Sequence, residues 1–181
     1  MIPGVDPASD DMTFTTDPFA PVLAETSLPA ASVADFIDRA VDFCNNRLWG
    51  TLAATVIAHR RTLRDREATE AFERGIATLR YGTIVANGPA TFPAAFCSPP
   101  WGAFPGHPAN DIQSGFGFVH NTYLFASSEK TVFRVPFRTV PKPPWFVTNS
   151  RTREVYARLS ALEAAPSPAK LPRIFLETLR G

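Results

Sequence analysis

The chain has 181 residues, 45% of them hydrophobic, and a formal net charge of +1, which suits one domain, or one domain with an appendage, and a sizeable core. Its longest apolar run, Leu48 to Ala58, contains Gly50 and Thr51 and is too short to span a bilayer, and Met1-Ile2-Pro3 lacks the basic start of a signal peptide. Two cysteines, Cys44 and Cys97, make no disulfide framework, so a globular cytoplasmic chain with no membrane partner is expected.

The elements follow in alternation. Val22 to Thr26 reads as a short strand that Pro29 ends. Ser32 stands three residues before Asp35 in a capping-box-like start, and Val33, Phe36, Ile37, Ala40, Val41 and Cys44 recur at helical spacing, which predicts a helix over 32–47. Gly50 breaks the chain, and Leu52 to Ala58, rich in Val, Ile and Thr, suits a strand buried on both faces. Asp65 is the candidate cap of a second helix over 66–80, with Ala68, Ala71, Phe72, Gly75, Ile76 and Leu79 on one side and Gly82 placed to end it. Thr83 to Ala86 is the next strand. Strand, helix, strand, helix, strand is the signature of parallel crossovers, and the expected fold is α/β with a parallel-sheet βαβαβ core.

From Gly88 to Pro99 the chain becomes a long apolar loop with Pro89, Phe92, Pro93, Phe96 and Pro99, a type that often lines a ligand. Asp111 to Ser114, with Gly115 and Gly117, suggests a turn or short helix, and Lys130 to Val135 a strand. Pro136, Pro141, Pro143 and Pro144 then enforce an extended spacer before a helix capped by Asn149 or Ser150, whose Val155, Leu159 and Leu162 share a face before Pro166 and Pro168 stop it. Charge is segregated: through Asn46 eight acidic residues face Arg39 alone, whereas from Lys130 onward ten basic residues face Glu154, Glu163 and Glu177. A basic tail suits phosphates or an acidic membrane surface, or else a solvated outer face or a contact with an acidic sister subunit. The interleaved aromatics form no RNA-binding motif, and no nucleic-acid partner is expected.

Asp17-Pro18-Phe19-Ala20-Pro21-Val22, Asn45-Asn46, Gly50, Gly82-Thr83, Asn87 and Pro100-Trp101-Gly102 form an ordered series that resembles the C-terminal part of the catalytic region of aldehyde dehydrogenases. The resemblance covers 17–135, leaving 1–16 as an irregular lead-in and 136–181 as a Pro-rich extension. It implies oxidation of an aldehyde to a carboxylic acid with NAD or NADP. That chemistry needs a thiolate nucleophile, amide donors for an oxyanion, a carboxylate that activates water and a nicotinamide that accepts hydride. In the family the cysteine, the glutamate and the oxyanion asparagine precede the acidic-aromatic-Pro-Val motif, so no catalytic residue is carried over here. No Gly-rich phosphate loop occurs either, and independent cofactor binding is not expected.

By the same resemblance Asp17 contacts the nicotinamide ribose, since a carboxylate accepts from paired hydroxyls, and Phe19 packs beside that ribose. The alternatives are a capping or solvated Asp and an ordinary core Phe. Trp101 stands where the family's Pro-Phe-Gly-Gly turn walls the aldehyde pocket, with Phe92 and Phe96 as further candidate lining; each could instead only anchor its loop. Ala103 replaces the second Gly of that turn, and Pro105-Gly106 departs from the family's Lys-x-Ser-Gly.

Cys97 lies after the acidic motif and has no adjacent His or Lys in sequence to activate it, which makes it a structural or surface thiol, and Cys44 reads as a core residue. His59, His107 and His120 show no paired ligand spacing, so no metal site is expected. Lys130 to Val135 looks like the family's oligomerisation strand. The partners implied are a small aldehyde and either a sister subunit in a homo-oligomer or a missing N-terminal portion. A non-catalytic partner of a full-length relative and a small-ligand-binding α/β module are the competing expectations.

Overall fold

The computed structural model describes the chain except for residues 97, 98, 100, 109, 112 and 116–126. Cys97, Pro100, Gly117 and His120 of the sequence reading therefore lie outside the described residues. The chain forms two compact units, 1–137 and 138–181.

The first unit is an α/β structure. Helix α1 spans Val33–Asn46, and Ser32 accepts a hydrogen bond from Asp35 N at 3.1 Å in the expected N-cap. The reciprocal bond goes one residue further back, because Asp35 Oδ2 accepts from Ala31 N at 2.8 Å. Strand β1 is Ala53–Val56, helix α2 is Arg66–Thr78, strand β2 is Thr83–Ala86 and strand β3 is Thr131–Arg134. The sheet is parallel in the order β1-β2-β3, with Ala53 opposite Thr83 and Thr83 opposite Thr131. Central β2 is buried throughout, as an uncharged Thr-Ile-Val-Ala strand covered on both faces must be.

Three expectations are corrected. Val22 to Thr26 does not join the sheet: its pairing is a single parallel bridge of Ala24 with Ile2, fixed by Ile2 N to Leu23 O and Glu25 N to Ile2 O. β1 is shorter than 52–58 and, among the described residues, lies at an edge of the sheet, and Thr55 is exposed rather than covered on both faces. Gly82 does not end α2. The helix stops at Thr78 with Leu79 turning to extended backbone, and Gly82 serves a close backbone approach instead.

The core explains why α2 lies where it does. Ala68, Ala71, Phe72, Gly75 and Ile76 are all buried, and Phe72, Ile76 and Leu79 pack with Ile84 and Ala86 of β2. Partly buried Ile37, Val41 and Cys44 of α1 complete this cluster. The two helices approach closely because position 75 is glycine, where an added Cβ would stand 3.0 Å from Ile37 Cγ2. Lys130 Nζ, at the start of β3, donates to the carbonyls of Ile76, Ala77 and Leu79, which a cation at a helix C-terminus is suited to do. A smaller cluster of Val5, Phe14 and Phe43 ties the N-terminal segment to α1, with Phe14 edge-on to Phe43 at 5.2 Å.

In the second unit, α3 spans Thr152–Ala164 and α4, a helix not anticipated from the sequence, spans Leu171–Leu179. Asn149 fixes the start of α3 without being its cap. Its Nδ2 donates to Lys142 O and its Oδ1 accepts from Arg151 N, both at 2.8 Å. Val155 is buried, Leu159 and Leu162 are half-buried, and Ile174 is the buried residue of α4.

Candidate functional site

A hollow of about 350 Å³ opens at the amino-terminal ends of β1 and β2. Asp17 and Pro18 form one side; Trp49, Gly50, Leu52, Tyr81 and Ser114 are among the residues that form the rest. Open parallel sheets usually bind ligands at the opposite, carboxyl edge.

Local structure builds each wall. Gly50, with φ +105°, lets the chain turn from α1 into β1 and sets Trp49 at the mouth, where its indole is half exposed. The two residues after Trp49 are held from a third segment, because Thr51 N donates to Ser114 Oγ at 2.8 Å and Gly50 N to Gln113 Oε1 at 3.2 Å. Tyr81 lies between α2 and β2, where burial pushes its phenol pKa up to about 12 and leaves it a neutral wall. Asp17 is exposed, and its Oδ1 accepts from Phe19 N at 3.2 Å.

The Trp101 turn belongs to the same end of the sheet. Gly102, with φ +83°, accepts a hydrogen bond from Thr51 Oγ1 through its carbonyl, and its N–H donates to Leu52 O at 3.4 Å. Leu52 is itself a wall of the hollow. The Trp101 side chain is partly exposed and does not line the hollow.

The other sequence candidates sit elsewhere. Phe19 adopts φ +44° and is 94% exposed, with its ring in solvent. Phe92 and Phe96 cluster with Phe133 of β3, at centroid distances of 5.7 and 5.3 Å, and are not part of the hollow. They cover β3. Trp49 and Tyr81 were not singled out in the sequence, and Ser114 was read only as part of a turn; the available signal was an aromatic directly before the strand-opening Gly50.

Asn45 and Asn87, both quoted for the family resemblance, have structural duties. Asn45 Nδ2 donates to Thr78 O at 3.0 Å while its Oδ1 accepts from Arg80 N at 2.7 Å. Asn87, with φ +61°, accepts from Ala58 N at 2.8 Å. Cys44 packs on the core, and burial raises its thiol pKa. His59 meets Phe137 edge-on, and His107 is buried against Phe104 and the Asp111 carbonyl. Among the described residues, no three His, Cys, Asp or Glu side chains are grouped to hold a metal ion, and no helix is long and apolar enough to cross a membrane.

Chemically, a carboxylate, an indole face and a hydroxyl around one hollow suit a ligand with paired hydroxyls and a flat C–H surface. The fold and this hollow define an α/β protein with a parallel sheet and a small-molecule-sized recess. No family model, curated protein or solved structure matches the chain.

Proposed function

We propose that this chain is the nicotinamide-ribose-facing part of an NAD- or NADP-dependent aldehyde dehydrogenase, without turnover by itself and working in the cytoplasm. The observation that carries the reading is the position of Asp17: it walls the same hollow as Trp49 and Leu52, and Leu52 is bonded to the Trp101-Gly102 turn. Of the residues that carry the resemblance, Asp17 lines the hollow and the Trp101-Gly102 turn lies at the same end of the sheet, which supports the reading.

The residues present fit a ribose better than a whole dinucleotide. Asp17 can accept from two vicinal hydroxyls, and Trp49 can cover the sugar's apolar face. Nothing in the sequence supplies a Gly-rich pyrophosphate cradle, so the rest of the cofactor is gripped by polypeptide outside these residues. When bound, the nicotinamide supplies the hydride acceptor. This chain's part is to hold the ribose, exclude water with Leu52 and Tyr81, and limit the aldehyde's approach with the Trp101 turn. The nucleophilic thiol and the general base come from the same outside region.

Saturation-transfer NMR of the 181-residue chain with nicotinamide mononucleotide tests this. Weak, saturable transfer to the ribose protons is expected, reduced several-fold by Asp17→Ala. No transfer in the parent chain would overturn the ribose reading. Formation of reduced nicotinamide by the purified chain with NAD and an aldehyde would overturn the assignment of the nucleophile to an outside region.

A second reading is favoured by one observation: β3 is an edge strand among the described residues, and its Val132 is exposed. A chain of this kind could dock through that strand on a sister subunit or a full-length relative, as uncovered edges invite. Light scattering with such a relative decides it, and a lone monomer counts against docking.

A further inference from the structure

The second unit concentrates positive charge. Over 138–181 the chain has Arg138, Lys142, Arg151, Arg153, Arg158, Lys170, Arg173 and Arg180 against Glu154, Glu163 and Glu177. Much of it surrounds one hollow. A recess of about 520 Å³ is lined by Arg158, Ala161, Ser167, Ala169, Lys170 and Arg173, three cations and a hydroxyl with no carboxylate among them.

Those cations are poorly neutralised. Arg173 is exposed and makes no ion pair among the described residues, where the pairs of this unit all converge on Glu177. Glu177 faces Arg151, Arg158 and Arg180 at 3.8 Å each, so one carboxylate is shared by three guanidiniums. Arg158 Nε is moreover buried without a hydrogen-bond partner, as is Glu177 Oε2 of the shared carboxylate, so the 3.8 Å pair leaves bonds unmade on both sides. Lys170 Nζ donates to Ala161 O at 2.7 Å and Ala165 O at 2.6 Å, which fixes the ammonium at the rim and leaves one of its three donors over. Ser167 makes no capping bond with its side chain.

We propose that this recess binds a phosphate-bearing ligand. A phosphate group offers several acceptor oxygens and up to two charges, which matches two guanidiniums, an ammonium and a hydroxyl better than a single carboxylate does. The same chemistry serves a soluble phosphate ester and an anionic lipid headgroup. The site is independent of the Asp17 hollow, and either can fail alone.

The full chain is titrated, with amide shifts of Ala169, Lys170 and Arg173 as the readout, using inorganic phosphate in one arm and phosphatidylserine–phosphatidylcholine vesicles in the other. Saturation by phosphate identifies the soluble source, and a response to vesicles alone identifies the headgroup; either supports the site. Arg173→Gln is expected to weaken binding about tenfold, the cost of one charge-assisted hydrogen bond. Arg138→Gln, an exposed cation outside the recess, leaves affinity unchanged, and circular dichroism verifies that both variants fold. The proposal is overturned if neither probe saturates, or if the two substitutions weaken binding equally, which would mean unspecific charge attraction.

Discussion

A side-chain carbon built on Gly82 would stand 2.6 Å from the carbonyl carbon of Trp101. The backbone before β2 and the Trp101 turn are therefore in direct contact, and only the absence of a Cβ at position 82 permits it. The Ala103 carbonyl oxygen lies 2.7 Å from the same point, so the crowding is with backbone, which cannot rotate aside.

Gly82→Ala should consequently be costly. The turn must lift from Leu52, and an overpacking penalty of about 1–3 kcal/mol is expected. Urea unfolding measures it as a lower midpoint at unchanged slope. A midpoint within experimental error of the parent chain would show that the turn is not seated on Gly82.

Asn45→Ala removes the donor to Thr78 O and the acceptor for Arg80 N together. About 1–2 kcal/mol of stability should be lost. Hydrogen exchange locates the effect: the Arg80 amide should lose protection, while amides of the second unit keep theirs.

Tyr81 predicts a pH dependence. Its phenol titrates at about 12 when folded against 10.0 ordinarily, with burial the largest cause and Cys44 the lesser one. The folded chain thus keeps a proton that the unfolded chain releases in that window, and stability falls as pH rises from 10 toward 12. Below pH 10 the contribution is intact. Cys44, whose thiol burial also pushes up from 9.0, adds to the alkaline loss, so Tyr81→Phe is compared with the parent chain. The variant should show a shallower decline of urea midpoint above pH 10, and an identical decline would remove Tyr81 as the cause.

Asp17 and Trp49 are exposed at the rim of their hollow, and substitutions there separate binding from folding. Asp17→Ala should change stability by no more than about 0.5 kcal/mol. The Trp49→Ala variant should lose saturation transfer to nicotinamide mononucleotide while its circular dichroism matches the parent. Retained transfer in both variants would place the contact elsewhere.

Much of the first unit was legible because its signals are local. Ser32 and Asp65 each lie three residues before the amide they cap, and the apolar face of α2 recurs at helical spacing, so both helices could be placed to within two residues. Val22 to Thr26 misled because a short run of strand-forming residues needs a partner to become a strand, and its neighbour is a single bridge with Ile2. Leu171 to Leu179 was missed because Pro166 and Pro168 read as the end of the helical stretch, whereas a new helix starts beyond them with Pro172 in its first turn, where a proline costs no hydrogen bond.

The candidate site divides in the same way. Asp17 and Trp101 carried a sequence signal, and neither revealed that Trp49, Tyr81 and Ser114 would complete the hollow around Asp17. Residues 49, 81 and 114 come together through the parallel pairing of β1 with β2 and the bond from Thr51 to Ser114, and the segment carrying residue 17 joins them through the bond from Trp49 N to Phe14 O and the contact of Phe14 with Phe43. By itself the sequence determined helices α1, α2 and α3, the buried strand and the basic C-terminal stretch, because period, caps and charge act over a few residues. Tertiary structure alone decided which side chains share a recess, since that depends on contacts between segments far apart in the chain, which no local pattern encodes.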